Sequence, residues 1–513
     1  MKNILKVLGK FLIGTIFIIL QYIWYIYLIR NMSHSACFLW ILSLIIAFSL
    51  IAFITPQNIT PETKLYWAIL ILLFPLLGSL LYIITHSSIT FFKLEKEIKI
   101  QEERFHRYQQ DNSKIIQELK STNPIIYSQV NYFHNVNFSI YNNCDIKYYS
   151  YGKNAFQDML VSLKQAKQFI FLEYFIISDS KIWEKILHIL KEKAMNGVEV
   201  RILYDDIGSV FRLKNDDVSM LKKYHIQMLS FSPKNLPWEP ATDNRNHRKT
   251  LVVDGEVAFT GGINIADECL ERTSKYGVWK DSSIRVRGSA VFEFTKMFLV
   301  MWNANIASYP KLDMTLDKDY EHYKGKTKIY STSGIMIPYG HNPLNKKDIA
   351  SNVYLNIINQ ATRYLYIDTP YLILDHTMKT ALQLASKRGV EIKIITPGIP
   401  DKKLVYQVTR SHYKDLLASG IQIYEYTPGF LHAKCILCDD EIATVGAVNL
   451  DYRSLYTHFE NGCYFYQGTI IDKMKNDFKE TLVESREILL PDLSKNFFKT
   501  IWEALLNLFA PLL

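Results

Sequence analysis

His247-Arg-Lys249-Thr-Leu-Val-Val-Asp254, followed by Gly261-Gly262-Ile263-Asn264, is one of two copies of a pattern in this chain. The second reads His432-Ala-Lys434-Cys-Ile-Leu-Cys-Asp439, followed by Gly446-Ala447-Val448-Asn449. Histidine, lysine, aspartate, glycine and asparagine fall at identical offsets in both. A lone His-x-Lys is commonplace, but two copies of a five-point pattern mark a two-part active site.

The flanks repeat as well. Residues 169–177 read as a buried strand, 182–195 as a helix ended by Asn196-Gly197, and 198–204 as the next strand. The order returns at 364–368, 377–387 and 389–397, and each unit is followed by its own copy of the motif. The period is far longer than that of solenoid or propeller repeats. The predicted fold class is therefore α/β, with two similar halves, 125–325 and 326–490, packed around one active site across a pseudo-two-fold.

Upstream, residues 11–29, 36–54 and 65–84 are apolar runs of the length needed to cross a hydrocarbon core of about 30 Å. Residues 1–85 are read as a membrane anchor with three transmembrane helices. The segment 86–124 is dense in Lys, Glu, Gln and Arg and is read as a solvated juxtamembrane helix or linker. Residues 491–513 carry apolar side chains at three- and four-residue steps, an amphipathic C-terminal helix. These features predict a multi-pass protein of the cell membrane. The large domain is placed on the cytoplasmic side by a slight charge asymmetry and by scattered cysteines.

Charge and cysteines narrow the partners. Lys and Arg outnumber Asp and Glu by 59 to 50, a net charge of +9 that suits an anionic partner. The six cysteines form no disulfide framework, and Cys435-Ile-Leu-Cys438 lacks the second ligand pair of a zinc site.

The motif's chemistry follows from its spacing. Strand side chains alternate, so His247 shares a face with Lys249, and His432 with Lys434. Two imidazoles, two ammonium groups and the amides of Asn264 and Asn449 suit a phosphoryl group and its anionic transition state. One histidine can attack phosphorus while the other protonates the departing oxygen. No metal or cofactor is expected, because the lysines carry the charge and a protonated lysine cannot ligate a metal. Asp254 and Asp439 have the opposite parity and are expected to hold the turn and the strand. Glu460 and Asp281, downstream of Asn449 and Asn264 respectively, are candidates for orienting the histidines.

These residues resemble the phospholipase D superfamily, whose signature is a duplicated H-x-K-x4-D followed by glycine and asparagine. Within it, the bacterial cardiolipin synthases are similar over nearly the whole chain. That resemblance is carried by 61–82, Gly261-Gly-Ile-Asn-Ile-Ala-Asp267, Trp279-Lys-Asp281, Thr369-Pro-Tyr371, 426–432 and Asn449-Leu-Asp-Tyr-Arg-Ser454. It implies transfer of a phosphatidyl group between two phosphatidylglycerol molecules, giving cardiolipin and glycerol; no nucleic-acid partner is expected, because three membrane segments serve no purpose for a soluble polynucleotide. It implies His247 as nucleophile and His432 as acid/base, with Lys249, Lys434, Asn264 and Asn449 on the phosphate. Glu460 would then orient His432, and Asp281 would orient His247. Asp254 and Asp439 complete the catalytic motifs. One position departs from the family pattern: Ala447 stands where a Ser or Thr is usual. The alternative is a membrane-bound phospholipase D, or another phosphatidyltransferase, with water or a different alcohol as acceptor.

Overall fold

The computed structural model describes most residues between 22 and 510. Residues 1–21, 214–220, 232–243, 309–315, 494–500 and 511–513 lie outside the description, as do shorter gaps of one to three positions. The first expected membrane run, 11–29, and most of the C-terminal helix therefore fall largely outside it.

The first half carries β1 (Asp145–Tyr149), β2 (Phe169–Tyr174), β3 (Glu199–Asp205), β4 (Ile226–Phe231), β5 (Lys249–Val253), β6 (Val257–Gly261), β7 (Val278–Lys280) and β8 (Ser283–Arg287). The second carries β9 (Ile335–His341), β10 (Tyr364–Asp368), β11 (Glu391–Pro397), β12 (Gln422–Tyr426), β13 (Gly429–Leu431), β14 (Cys435–Cys438), β15 (Ile442–Gly446), β16 (Glu460–Tyr466) and β17 (Ser485–Ile488). The two main sheets have the orders β1-β8-β6-β5-β2-β3-β4 and β17-β12-β11-β10-β14-β15-β16-β9. Apart from the added edge strand β17, they are the same order. In each, a strand–helix–strand unit supplies parallel neighbours, and the His-x-Lys strand then enters antiparallel. Leu172 faces Leu251 across β2 and β5, and Ile367 faces Ile436 across β10 and β14.

One apolar core runs through both halves. It joins Phe171 and Val252 of the first sheet to Ile367 and Ile436 of the second, with the helix Val291–Ser308 packed among them. That helix is buried along nearly its whole length, and its Glu293–Lys296 ion pair at 3.0 Å is buried with it. The halves also trade short strands, because β7 pairs in parallel with β13.

In the N-terminal region the third apolar run and the charged segment differ from expectation. Among the described residues no helix is long and apolar enough to cross a membrane. The run 65–84 is two helices, Pro61–Leu73 and Pro75–His86, broken at Phe74. Pro75 supplies no N–H and biases Phe74 away from helical geometry, so the break falls where the chemistry requires it. The run 36–54 lies in the helix His34–Ile54, whose side chains, described from Phe38 onward, leave Phe38, Trp40, Ile45, Phe48 and Phe53 exposed.

The second difference concerns the charged segment. The helix Ile89–His106 is no free spacer, because Leu94, Ile98 and Phe105 enter the main core. Gln101 Oε1 accepts from Tyr320 at 2.9 Å, and Glu102 Oε1 accepts from Asn342 at 2.8 Å. Its charged residues cover the apolar stripe in the sequence, and only packing against Val291–Ser308 shows which face is buried.

Candidate active site

Each motif histidine lies at the mouth of its strand, where the two halves meet. Asn246 bridges Phe459, and His247 N donates to Phe459 O at 2.9 Å. On the other side of the pseudo-two-fold, His432 N donates to Lys280 O at 2.6 Å. Each histidine is therefore fastened to the residue just before the other half's carboxylate. His247 Nδ1 lies 2.8 Å from Glu460 Oε1, and His432 Nδ1 lies 2.5 Å from Asp281 Oδ2.

The expected pairing is thus reversed. Glu460 serves His247 rather than His432, and Asp281 serves His432 rather than His247. The cause is the exchange of backbone between the halves, which carries each carboxylate across the pseudo-two-fold axis.

Both imidazoles line one cavity of about 360 Å³, together with Asn264 and Asn449. Their two ammonium groups sit behind them. Lys249 Nζ donates to His247 O at 2.5 Å, and Lys434 Nζ donates to His432 O. Asn264 Oδ1 accepts from Ile176 N at 3.3 Å, and Asn449 Nδ2 donates to Asp451 at 3.0 Å. Asn449 Oδ1 is buried without a hydrogen-bond partner.

Burial governs the protonation of these groups. It pushes the His247 imidazole well below its usual range, with the Lys249 ammonium adding to the effect. It lowers His432 as well, against the pull of Asp281. It brings Lys249 down to about 7, although Glu460 opposes the shift. It lowers Lys434, and it pushes the Glu460 carboxyl upward. A neutral imidazole whose Nδ1–H points at a carboxylate leaves its Nε2 lone pair facing the cavity.

Asp254 and Asp439 lie away from the imidazoles. The Asp254 carboxylate accepts from the backbone N–H groups of Lys167, Gln168 and Phe169 at 2.7–2.9 Å. Asp439 accepts from those of Thr362, Arg363 and Tyr364 at 2.7–2.8 Å. Each therefore ties the end of its motif strand to the start of the neighbouring strand. Asp254 and Gly255 have φ of 54° and 65°, the left-handed pair that a tight hairpin between β5 and β6 demands.

Gly262 is constrained by the other half's chemistry. A Cβ there would stand 2.1 Å from Asp281 Oδ1, so a side chain at this position would displace the carboxylate that serves His432. Ala447 is its counterpart in the second copy and is fully buried.

Two residues at the site escaped the motif reading. Arg248, between His247 and Lys249, turns away from the cavity, and its guanidinium donates to Glu460 O at 3.2 Å and His341 O at 3.4 Å. His458 packs its ring 5.4 Å from that of His247. Its counterpart, two residues before Asp281, is Trp279, which packs 5.1 Å from His432. The shared offset from the carboxylate is a signal, but the two side chains differ too much for it to stand out.

Among the described residues, His247, His458 and Glu460 have a mutual spacing that a metal ion could use. The His247–Glu460 hydrogen bond already engages two of those ligand groups, and Lys249 places an ammonium nearby. That charge fits an anion better than a cation.

A family model described as cardiolipin synthase, phospholipase-D-like domain, matches residues 159–302 and 354–482. An uncharacterised protein of Streptococcus mutans serotype c is 41% identical over 87% of this chain and 96% of its own length. A cardiolipin synthase of Halalkalibacterium halodurans is 31% identical, covering 89% of this chain and 90% of its own. One of Clostridium perfringens is 32% identical, covering 88% and 94%. In three dimensions, the phosphatidylserine synthase of Haemophilus influenzae aligns with a TM-score of 0.53 at 16% identity, over 72% of this chain and 93% of that one. That likeness extends to the fold.

Proposed function

The chain belongs to the cardiolipin synthase family of phospholipase-D-like proteins, and on that premise we propose that it transfers a phosphatidyl group between two phosphatidylglycerol molecules, yielding cardiolipin and glycerol. It is a phosphatidyltransferase. The observation that carries the reading is the pair of imidazoles, each held at Nδ1 by a carboxylate and both facing one cavity.

In the first step His247 Nε2 attacks phosphorus, the bond to the departing glycerol oxygen breaks, and His432 gives that oxygen its proton. In the second, His432 takes the proton from the acceptor hydroxyl, whose oxygen attacks phosphorus as the phosphorus–nitrogen bond breaks. His432 must be protonated for the first step although burial disfavours it. The bound phosphodiester anion and Asp281 both favour the charged imidazole and offset that penalty. Lys249, Lys434, Asn264 and Asn449 stabilise the equatorial oxygens as charge develops there. Glu460 and Asp281 fix the tautomers, while Asp254 and Asp439 hold the strands that carry the motifs.

The N-terminal 85 residues hold the enzyme to the bilayer, with the catalytic halves on the cytoplasmic side. The exposed apolar side chains of His34–Ile54 support the attachment to the bilayer. Glu62 at the start of the next helix accepts from His376 N at 3.1 Å and docks this region onto the second half.

The test supplies headgroup-labelled and acyl-labelled phosphatidylglycerol to membranes containing the protein. Cardiolipin with one free glycerol per turnover is expected. Phosphatidic acid as the sole product would assign water as the acceptor and overturn the synthase reading. His247→Ala and His432→Ala, with trapping of the covalent phosphoprotein, separate the two histidine roles.

A further inference from the structure

Transfer between two phospholipids brings a second phosphate into the site, because the acceptor carries its own phosphodiester beside the reacting hydroxyl. The two His-x-Lys pairs account for one phosphoryl group only.

The turn between Asn449 and Glu460 supplies the rest. Residues Arg453–Thr457 form a π-helical turn, closed by His458 N donating to Arg453 O at 2.7 Å. Such wide turns recur at functional sites because they re-aim side chains. This one points Arg453 and His458 into the cavity that holds His247 and His432, and Lys402 reaches the same cavity from the adjoining loop.

His458 is only 7% exposed, and both its ring nitrogens are buried without a hydrogen-bond partner. Glu460 Oε1 lies 3.8 Å from its Nδ1, beyond hydrogen-bond reach. A buried polar group left unmet is costly unless something else satisfies it. Burial and the surrounding cations, Arg453, Arg245, Lys249 and Lys402, keep the imidazole neutral. It therefore offers one N–H donor in a positive setting. Lys402 stands over the Tyr371 ring at 5.5 Å and forms no ion pair among the described residues.

The acidic groups of the cavity are already engaged. Glu268 pairs with Arg212 at 2.5 Å, and Asp401 accepts from Tyr371 at 2.7 Å. Asp451 accepts from Ser454 N at 2.8 Å and from Asn449.

We propose that His458, Arg453 and Lys402 form a second anion subsite that takes the acceptor lipid's phosphodiester while the His-x-Lys pairs hold the phosphoryl group in transit. This rests on the phosphatidyl-transfer reading above. The acceptor's phosphodiester is not altered. Only its hydroxyl reacts, forming the new phosphorus–oxygen bond as the bond to histidine breaks and passing its proton to His432. The subsite distinguishes a glycerol headgroup that bears a phosphate from water or a neutral diol.

The test uses the full-length protein in vesicles, with labelled phosphatidylglycerol as donor and a 1-O-alkylglycerol as competing acceptor. The latter offers the same diol without a phosphate. The ratio of cardiolipin to the phosphatidyl-alkylglycerol adduct should fall roughly tenfold in Lys402→Ala and in His458→Ala, as expected for one lost hydrogen bond to a charged group. Lys402→Arg and His458→Asn, which keep a donor, should recover part of it. A ratio that stays at the wild-type value, with both products falling together, would mean a structural role and overturns the subsite.

Inorganic phosphate is the second probe. Inhibition competitive with the acceptor in the wild type, and weakened in Lys402→Ala, shows that a free anion also occupies the subsite. Equal inhibition in both overturns it. Should the wild type release only phosphatidic acid, the synthase reading fails. The phosphate comparison, scored on hydrolysis, then decides the subsite alone.

Discussion

Nδ1 of His247 lies 2.8 Å from Oε1 of Glu460, a carboxylate 213 positions further along the chain. The reciprocal pair, His432 with Asp281, spans 151 positions. The two copies of the motif are therefore interlocked rather than merely adjacent. Glu460→Gln keeps the shape of the buried side chain but offers an amide where the imidazole needs an anion. Turnover should fall by roughly 10² to 10⁴, as when a buried orienting carboxylate is replaced by its amide in a catalytic triad. Asp281→Asn should do the same through His432. Steady-state rates alongside thermal unfolding check both, and a variant that loses stability but keeps turnover per folded molecule would refute the orienting role.

Asp254→Ala removes the acceptor of three backbone N–H groups. At about 1 kcal/mol or more for each stranded donor, the expected loss is about 3 kcal/mol of stability. Asp254→Asn should lose less, because asparagine tolerates the positive φ of this position and keeps one acceptor oxygen. Urea denaturation measures the difference. Lost activity at unchanged stability would instead place the carboxylate in the chemistry.

The pH profile should carry the mark of Lys249. Its ammonium, brought down to about 7 by burial, is protonated below that pH and neutral above it. The free enzyme thus loses positive charge as pH rises, and kcat/KM should decline on the alkaline side from near neutrality. On the acid side the depressed imidazoles keep His247 neutral below the ordinary histidine range, so activity should persist there. Lys249→Arg, which stays charged, should flatten the alkaline limb even if its maximum is lower. An alkaline limb unmoved by that substitution would assign it to another group.

Ala447→Ser tests the asymmetry of the two copies. The site of a Cβ on its counterpart, Gly262, falls within 2.1 Å of Asp281. By the pseudo-two-fold, the side chain of residue 447 is directed toward Glu460, whose Oε2 is buried without a hydrogen-bond partner. A serine hydroxyl there would donate to that oxygen and steady the carboxylate behind His247. Turnover should rise about threefold to tenfold, the worth of one ordinary net hydrogen bond of about 1 kcal/mol. Unchanged kinetics would remove Ala447 from any account of the rate.

The motif's lettering exposed the strands, the duplicated order of elements and the residues that gather at the cavity, because alternation and spacing are local properties. Which carboxylate meets which histidine was not legible. That pairing depends on β7 and β13 crossing between halves, and the contacts concerned span 151 and 213 positions. His458 has Trp279 as its counterpart, so repetition, which marks the other site residues, conceals this one. The helix Ile89–His106 reads as solvated in the sequence for a related reason. Its charges dominate its composition, while the few apolar residues that enter the core are noticed only once a partner helix is in place.

The interlocked carboxylates also bear on the moment of synthesis. A ribosome adding about 5–20 residues each second exposes His247 for roughly ten to forty seconds before Glu460 has been made. During that interval its imidazole has no anion to set its tautomer. The nascent chain therefore lacks a complete site. Competence arrives in one event, when the second half closes on the first.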